Sequence, residues 1–340
     1  MKIQFIFTLF IFGLEGCAHL PSTPWPEQIL RGANVSTEAT EADLEYFKKD
    51  WNGNVVRVLH LTPLADRAPY EVREEALASM YRTTERALAQ HLAVVFAPAV
   101  AMENNDQFFS NRAQQLAYLE FWKRVTRHFK GVPGAISFDL MNEPHDELAK
   151  THWNQYAKEL TTEIRKLDPA RTLIVEAPEW AWPDGFAFLE PTGDANTIYS
   201  FHSYAPNEFT VQKTKKGFLT ATEGEWKKRI YPGSTFEGEF WNHQTMLRKL
   251  QPVFDFEKKN HVKIWCGEFG VARWARGSVQ WLHDMIQIFE EHQIGWAYYS
   301  YREWQVMDLE MDPSVKNEKT SRSLTPLVQE FKGALQLNRK

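Results

Sequence analysis

The sequence predicts an α/β fold, a single (β/α)8 TIM barrel, on three observations. Eight short β-rich runs alternate with segments of helical periodicity, as repeated βα units require. Several of the runs are apolar throughout, the mark of strands covered on both faces. No glycine-rich dinucleotide fingerprint appears, which favours a closed barrel over a doubly wound sheet. The 340 residues suit one such barrel, and 43% hydrophobic residues supply its core.

The strand runs fall at 29–35, 54–59, 92–97, 135–140, 172–176, 197–202, 262–266 and 294–300. Between them the period changes. Leu77, Met80, Tyr81, Thr84 and Leu88 recur at helical spacing, as do Leu119, Trp122, Val125 and Phe129. Trp153, Tyr156, Leu160, Ile164 and Leu167 repeat the pattern, and so do Leu282, Met285, Ile286 and Phe289. The fifth unit breaks it. After Glu176 the chain passes Pro178, Trp180, Trp182 and Pro183 with little helical periodicity. The stretch 205–241 is long for a loop and carries Phe209, Trp226, Tyr231, Phe236, Phe240 and Trp241. Long loops in compact domains are usually functional. No internal repeat and no second-domain boundary is visible.

The N-terminus reads as a processing segment. Lys2 precedes an apolar run, 3–14, too short to span a bilayer as a mature helix. Leu14-Glu15-Gly16-Cys17 is similar to a bacterial lipoprotein box. The expected division is a signal peptide of lipoprotein type at 1–16, a short tether at 17–28 and the catalytic barrel at 29–340. Lipidation of Cys17 would anchor an exported chain to a bacterial membrane in the cell envelope. Periplasmic or plainly secreted protein is the alternative. The second of the two cysteines, Cys266, sits in a strand run and reads as a buried, inert thiol. A net charge of -5 offers no basic stripe for nucleic acid. The scattered His and acidic residues show no metal-ligand spacing, so neither metal nor another cofactor is expected. A monomer is expected.

Two motifs carry chemistry. Phe138-Asp139-Leu140-Met141-Asn142-Glu143-Pro144 and Trp265-Cys266-Gly267-Glu268-Phe269-Gly270 each deliver one glutamate to the end of a strand. Barrel active sites lie at the C-terminal strand ends. Two carboxyls meeting there, about 5–5.5 Å apart, supply the proton donor and the nucleophile of a retaining glycosidase. Arg57, Asn142, His202, Tyr204, Tyr299 and Trp304 fall at the same rim. Arg57 is a permanently charged partner for the nucleophile, Tyr204 a phenolic donor, and Asn142 a donor for a sugar 2-hydroxyl. Pro144 predicts an extended Glu143. Gly267 and Gly270 predict sharp turns or close backbone approach. The 13 Trp among 14% aromatics fit sugar-stacking walls as well as core. Taken singly, each residue has a plainer reading: a turn at Asn-Glu-Pro, an ion pair at Arg57, a core histidine at His202. Their order along successive strands is what gives them weight.

That order resembles glycoside hydrolase family 5. The matching residues are Arg31-Gly32-Ala33-Asn34, Arg57, Asn142-Glu143-Pro144, His202-Ser203-Tyr204 and Glu268-Phe269-Gly270, over residues 29–338. The resemblance implies Glu143 as acid/base and Glu268 as nucleophile, with Arg57, Asn142, His202 and Tyr204 in support. Two departures stand out. Many members place a histidine after the third strand, where this chain has Ala97-Pro98-Ala99, leaving Asn104, Asn105 or Asp106 as substitutes. The usual strand-eight tryptophan is replaced by Tyr299, with Trp304 as the other stacking platform. The implied activity is endo-cleavage of a β-linked polysaccharide or oligosaccharide, β-1,4-glucan first. Mannan, xylan or another β-glycan is the alternative within the family. A surface glycan-binding lipoprotein without catalysis is the alternative outside it.

Overall fold

The computed structural model describes residues 28–61, 63–100, 105–132, 136–211, 228–313 and 322–339. The expected signal peptide, Cys17, nearly all of the tether, Asn104 and Trp226 lie outside the described residues. Eight strands close into one barrel: β1 Arg31–Val35, β2 Val55–Leu61, β3 Ala93–Ala99, β4 Ile136–Asp139, β5 Thr172–Glu176, β6 Thr197–Ser203, β7 Lys263–Phe269 and β8 Gly295–Tyr298. Each pairs in parallel with its sequence neighbours, and β8 closes on β1. All eight expected runs are strands. The eighth ends at Tyr298, so Tyr299 and Ser300 begin the loop above the barrel.

Helices follow the strands because their apolar faces need the sheet. In Glu74–Ala89, Leu77, Met80, Thr84 and Ala87 are buried, one stripe of a helix whose other face is polar. Thr40 starts Glu41–Lys49 with a reciprocal capping box to Asp43. Between β5 and β6 the described residues hold only the 3-10 turn Pro183–Ala187, as the broken periodicity predicted. The described residues of the 205–241 stretch contribute to both the core and the barrel mouth. Its Phe209, Tyr231, Phe236 and Trp241 are buried in the core, and a short hairpin pairs Thr235–Phe236 with Glu239–Phe240. No described helix is long and apolar enough to cross a membrane.

Side-chain parity places the site. Val55, Val95, Ile174, Ile198, Trp265 and Ala297 form a small cluster of their own with Leu30, plugging the barrel lumen. Successive strand residues face opposite sides, so positions two or four further on point the same way. Arg57, Glu176 and His202 stand at those positions above the plug. Glu268 breaks the count, lying three residues beyond Trp265. The register slips there: Phe201 pairs with Cys266 but His202 with Glu268, leaving Gly267 as an extra residue. This bulge resets the alternation and turns Glu268 inward.

Candidate active site

A single guanidinium organises the barrel mouth. Arg57, fully buried, donates from Nη1 to Glu268 Oε1 at 2.7 Å and to Asn34 Oδ1 at 3.0 Å. Its Nη2 donates to Asn142 Oδ1 at 2.7 Å, Glu176 Oε1 at 2.8 Å and Asp139 Oδ2 at 3.0 Å. Burial opposes the charge, but Asp139, Glu176 and Glu268 together push its pKa further up. Arg57 is therefore a fixed cation.

Glu268 accepts a second hydrogen bond, from Tyr204 Oη at 2.6 Å. Burial, then the charge of Glu268, pushes the Tyr204 phenol well up, so it stays a donor. Glu143 meets His202 Nδ1 at 2.9 Å through Oε1. Burial raises the Glu143 pKa, the Glu268 and Glu176 charges add to this, and the His202 bond only partly reverses it. His202 itself is pushed well up: burial opposes its charge, but Glu176 and Glu268 outweigh that. Its Nε2 lies 3.1 Å from Glu176 Oε1. Glu176 is held down to about 2, because His202 and Arg57 overcome its burial. Asp139 goes the other way, raised by burial and by Glu176 beside it. Two groups pushed toward their charged forms, Arg57 and His202, thus stand among the carboxyls of Asp139, Glu176 and Glu268.

Glu143, His202 and Glu268 bring one polar atom each to within 4.8 Å of one another. That separation between two carboxyls is the retaining geometry, too close to seat the water an inverting enzyme needs. A metal does not fit the trio well. A doubly protonated imidazole has no lone pair to give, and Arg57 already occupies Glu268.

Above the pair opens a cleft of about 310 Å³ lined by Glu143, Trp180, Trp182, Tyr204, Asn207, Val211, Glu268 and Trp304. Tyr299 packs beside Trp304, ring centres 6.2 Å apart, with its hydroxyl 3.4 Å from Glu303 Oε1. All of the sequence-derived site residues with described coordinates therefore gather at one mouth.

One expectation needs correction. Glu143 is not extended: its φ is +49°, with its N–H held by Glu176 Oε2 at 2.6 Å and its carbonyl by His145 Nδ1 at 2.7 Å. Those two bonds outweigh the preference that Pro144 imposes. Asn105 and Asp106 lie against the loop after β4. Asn105 Oδ1 accepts from the His145 N–H and Asp106 Oδ1 from the Leu148 N–H, so both tie down the loop after β4. Gly267 and Gly270 give the expected close approach: a Cβ would meet His202 Nε2 at 2.9 Å or the Tyr299 carbonyl at 2.4 Å. Cys266 is buried and its thiol is pushed well up by burial, an inert group as expected.

Glu176 and Asp139 were missed as site residues. The available signal was a lone charge at the inward-facing end of an otherwise apolar strand.

The family model described as cellulase (glycosyl hydrolase family 5) matches residues 21–304. The chain belongs to glycoside hydrolase family 5. It is a glycoside hydrolase. Among curated relatives, endoglucanase C of Acetivibrio thermocellus is 28% identical over 313 residues, covering 84% of this chain and 89% of that enzyme. A hyperthermophilic endo-β-1,4-glucanase solved with substrate superposes with a TM-score of 0.70 at 27% identity, over 90% of this chain and 97% of the other. An endoglucanase from Thermotoga maritima shares the fold, with a TM-score of 0.70 at 22% identity over 82% and 91% of the two chains. For this family-5 enzyme the match takes in all of the strands that carry Arg57, Glu143, His202 and Glu268.

Proposed function

We propose that this enzyme cleaves internal β-1,4 bonds of glucan with retention, Glu143 serving as acid/base and Glu268 as nucleophile. The observation that carries the roles is the asymmetry of the two carboxyls less than 4.8 Å apart. One has its pKa raised and keeps a proton to give. The other is held at the cleft by Arg57 on one oxygen and Tyr204 on the second. Endoglucanase C of Acetivibrio thermocellus supports the choice of glucan.

The steps balance as follows. Glu143 gives its proton to the glycosidic oxygen as a Glu268 oxygen bonds the anomeric carbon and the leaving sugar departs. Water then attacks that carbon, yielding its proton to Glu143, and Glu268 leaves as carboxylate. Asn142, its Oδ1 taken by Arg57, presents its amide N–H groups to the sugar 2-hydroxyl. Trp304 and Tyr299 provide the stacking surface. The enzyme acts as a monomer on soluble or exposed polymer. Export with lipid attachment at Cys17 fits the N-terminal sequence, and Cys17→Ala should release the protein from membranes.

The test is the first-formed product. Proton NMR during hydrolysis of a cello-oligosaccharide should show the β-anomer first, and a 2-deoxy-2-fluoro glycoside should label Glu268. An α-anomer appearing first, or label elsewhere, would overturn the roles. Mannan cleavage without glucan cleavage would overturn the substrate.

A further inference from the structure

His145 has no part in the steps above, yet it touches both the proton donor and the cleft wall. It is buried, 2% exposed, two residues after Glu143. Its Nδ1 lies 2.7 Å from the Glu143 carbonyl, which can only accept, so Nδ1 carries the proton. Its ring stacks on the Trp180 indole, centres 3.5 Å apart and planes within 11°. Trp180 lines the cleft beside Glu143.

The contact belongs to a closed circuit. Glu179, Trp180 and Ala181 run consecutively at φ +65°, +61° and +56°, a left-handed turn of three non-glycine residues. Such a turn persists only where its surroundings over-determine it. Here the Trp180 N–H donates to the Pro144 carbonyl at 3.2 Å, and the Ala181 carbonyl accepts from the His202 N–H at 2.7 Å. Lys150 pairs with Glu179 at 2.7 Å. His202 then meets the Glu143 carboxyl, and His145 the Glu143 carbonyl. A core histidine serving only stability would not need to join the acid's backbone to an aromatic wall.

We propose that His145 is a positioning residue whose Nδ1–H, donated to the Glu143 carbonyl, fixes the proton donor at the wall of the cleft. Protonation must reach one oxygen of the leaving sugar, so an error of about 1 Å in the placing of the acid is costly on the order of a hundredfold. The inference rests on Glu143 being the acid.

The experiment compares kcat/KM for cellopentaose, whose leaving group needs a proton, with that for 2,4-dinitrophenyl β-cellobioside, whose leaving group does not. His145→Phe keeps a stacked ring without the donor, and His145→Leu is a second donor-free variant. His145→Asn keeps a donor at the Nδ1 position without the ring. The cellopentaose-to-aryl ratio should fall at least fivefold in the Phe and Leu variants and stay within twofold of wild type in the Asn variant. Loss of packing alone slows both substrates together and leaves the ratio unmoved. An unmoved ratio in whichever donor-free variant folds, or an equal fall in the Asn variant, overturns the proposal. Glu143→Ala separates the two failures. If it too leaves the ratio unmoved, the acid assignment is what has failed. If it lowers the ratio while the His145 variants do not, only the positioning role is lost.

Discussion

The backbone N–H of Glu143 donates to Glu176 Oε2 at 2.6 Å, so a carboxylate on β5 holds the residue that follows β4. Through Oε1 the same carboxylate takes a bond from Arg57 at 2.8 Å and lies 3.1 Å from His202 Nε2. Glu176 therefore governs the proton donor twice, through its backbone and through the histidine that bonds its side chain.

Glu176→Gln should fold, because an amide oxygen still serves one of the three donors. It removes the leading charge that pushes the His202 pKa up. The His202 titration should move down by NMR, and kcat should fall by about tenfold or more. A His202 titration that stays in place would remove Glu176 from this role.

Most of the fold was legible because barrel strands are continuous apolar runs and barrel helices are amphipathic. Arg57, His202 and Glu268 could be seen because a charge or imidazole beside such a run is costly without a purpose. Glu176 and Asp139 carry the same signal, but each stands at a strand's last residue, where a solvated loop begins equally well. What could not be read was three-dimensional: the bulge at Gly267, the left-handed Glu143, and the seating of Asn105 and Asp106 under the β4 loop. Each depends on bonds between segments far apart in sequence.

Arg57→Met tests the charge ledger. It leaves Asp139, Glu176 and Glu268 without their shared cation in a buried site. Removing one partner of a buried ion pair costs about 3–5 kcal/mol, and here one cation serves three acids. Urea unfolding should show a loss of at least that order. A loss below about 1 kcal/mol would mean the carboxyls take up protons freely and need no partner.

The pH profile carries a sign. Glu143 must hold its proton for the first step, so the rate on unactivated glucan falls as pH rises through its pKa. Burial and neighbouring charge raise that pKa, while His202 lowers it through its hydrogen bond and its charge. His202→Asn therefore shifts the basic limb of kcat/KM to higher pH, even as the maximum rate drops. A limb that stays in place or moves to lower pH would show that His202 does not stabilise the ionised acid.

Gly267→Ala tests whether the bulge positions the nucleophile. An added Cβ would stand 2.9 Å from His202 Nε2 and 3.0 Å from Ser200 Oγ. Neither neighbour is the free end of a flexible chain: both are buried, and His202 is held at its ring and its backbone. The methyl should cost about 1–3 kcal/mol of stability, the usual range for overpacking. Because the displaced ring also carries the bond to Glu143, kcat should fall with it. Gly333→Ala is the control of opposite sign. It lies in the helix Pro326–Leu335, and an added Cβ there meets nothing within 4 Å. Gaining a better helix former should stabilise by about 0.5–1 kcal/mol and leave kcat unchanged. If Gly267→Ala instead behaves like Gly333→Ala, the close approach of β7 to His202 is not what aims Glu268.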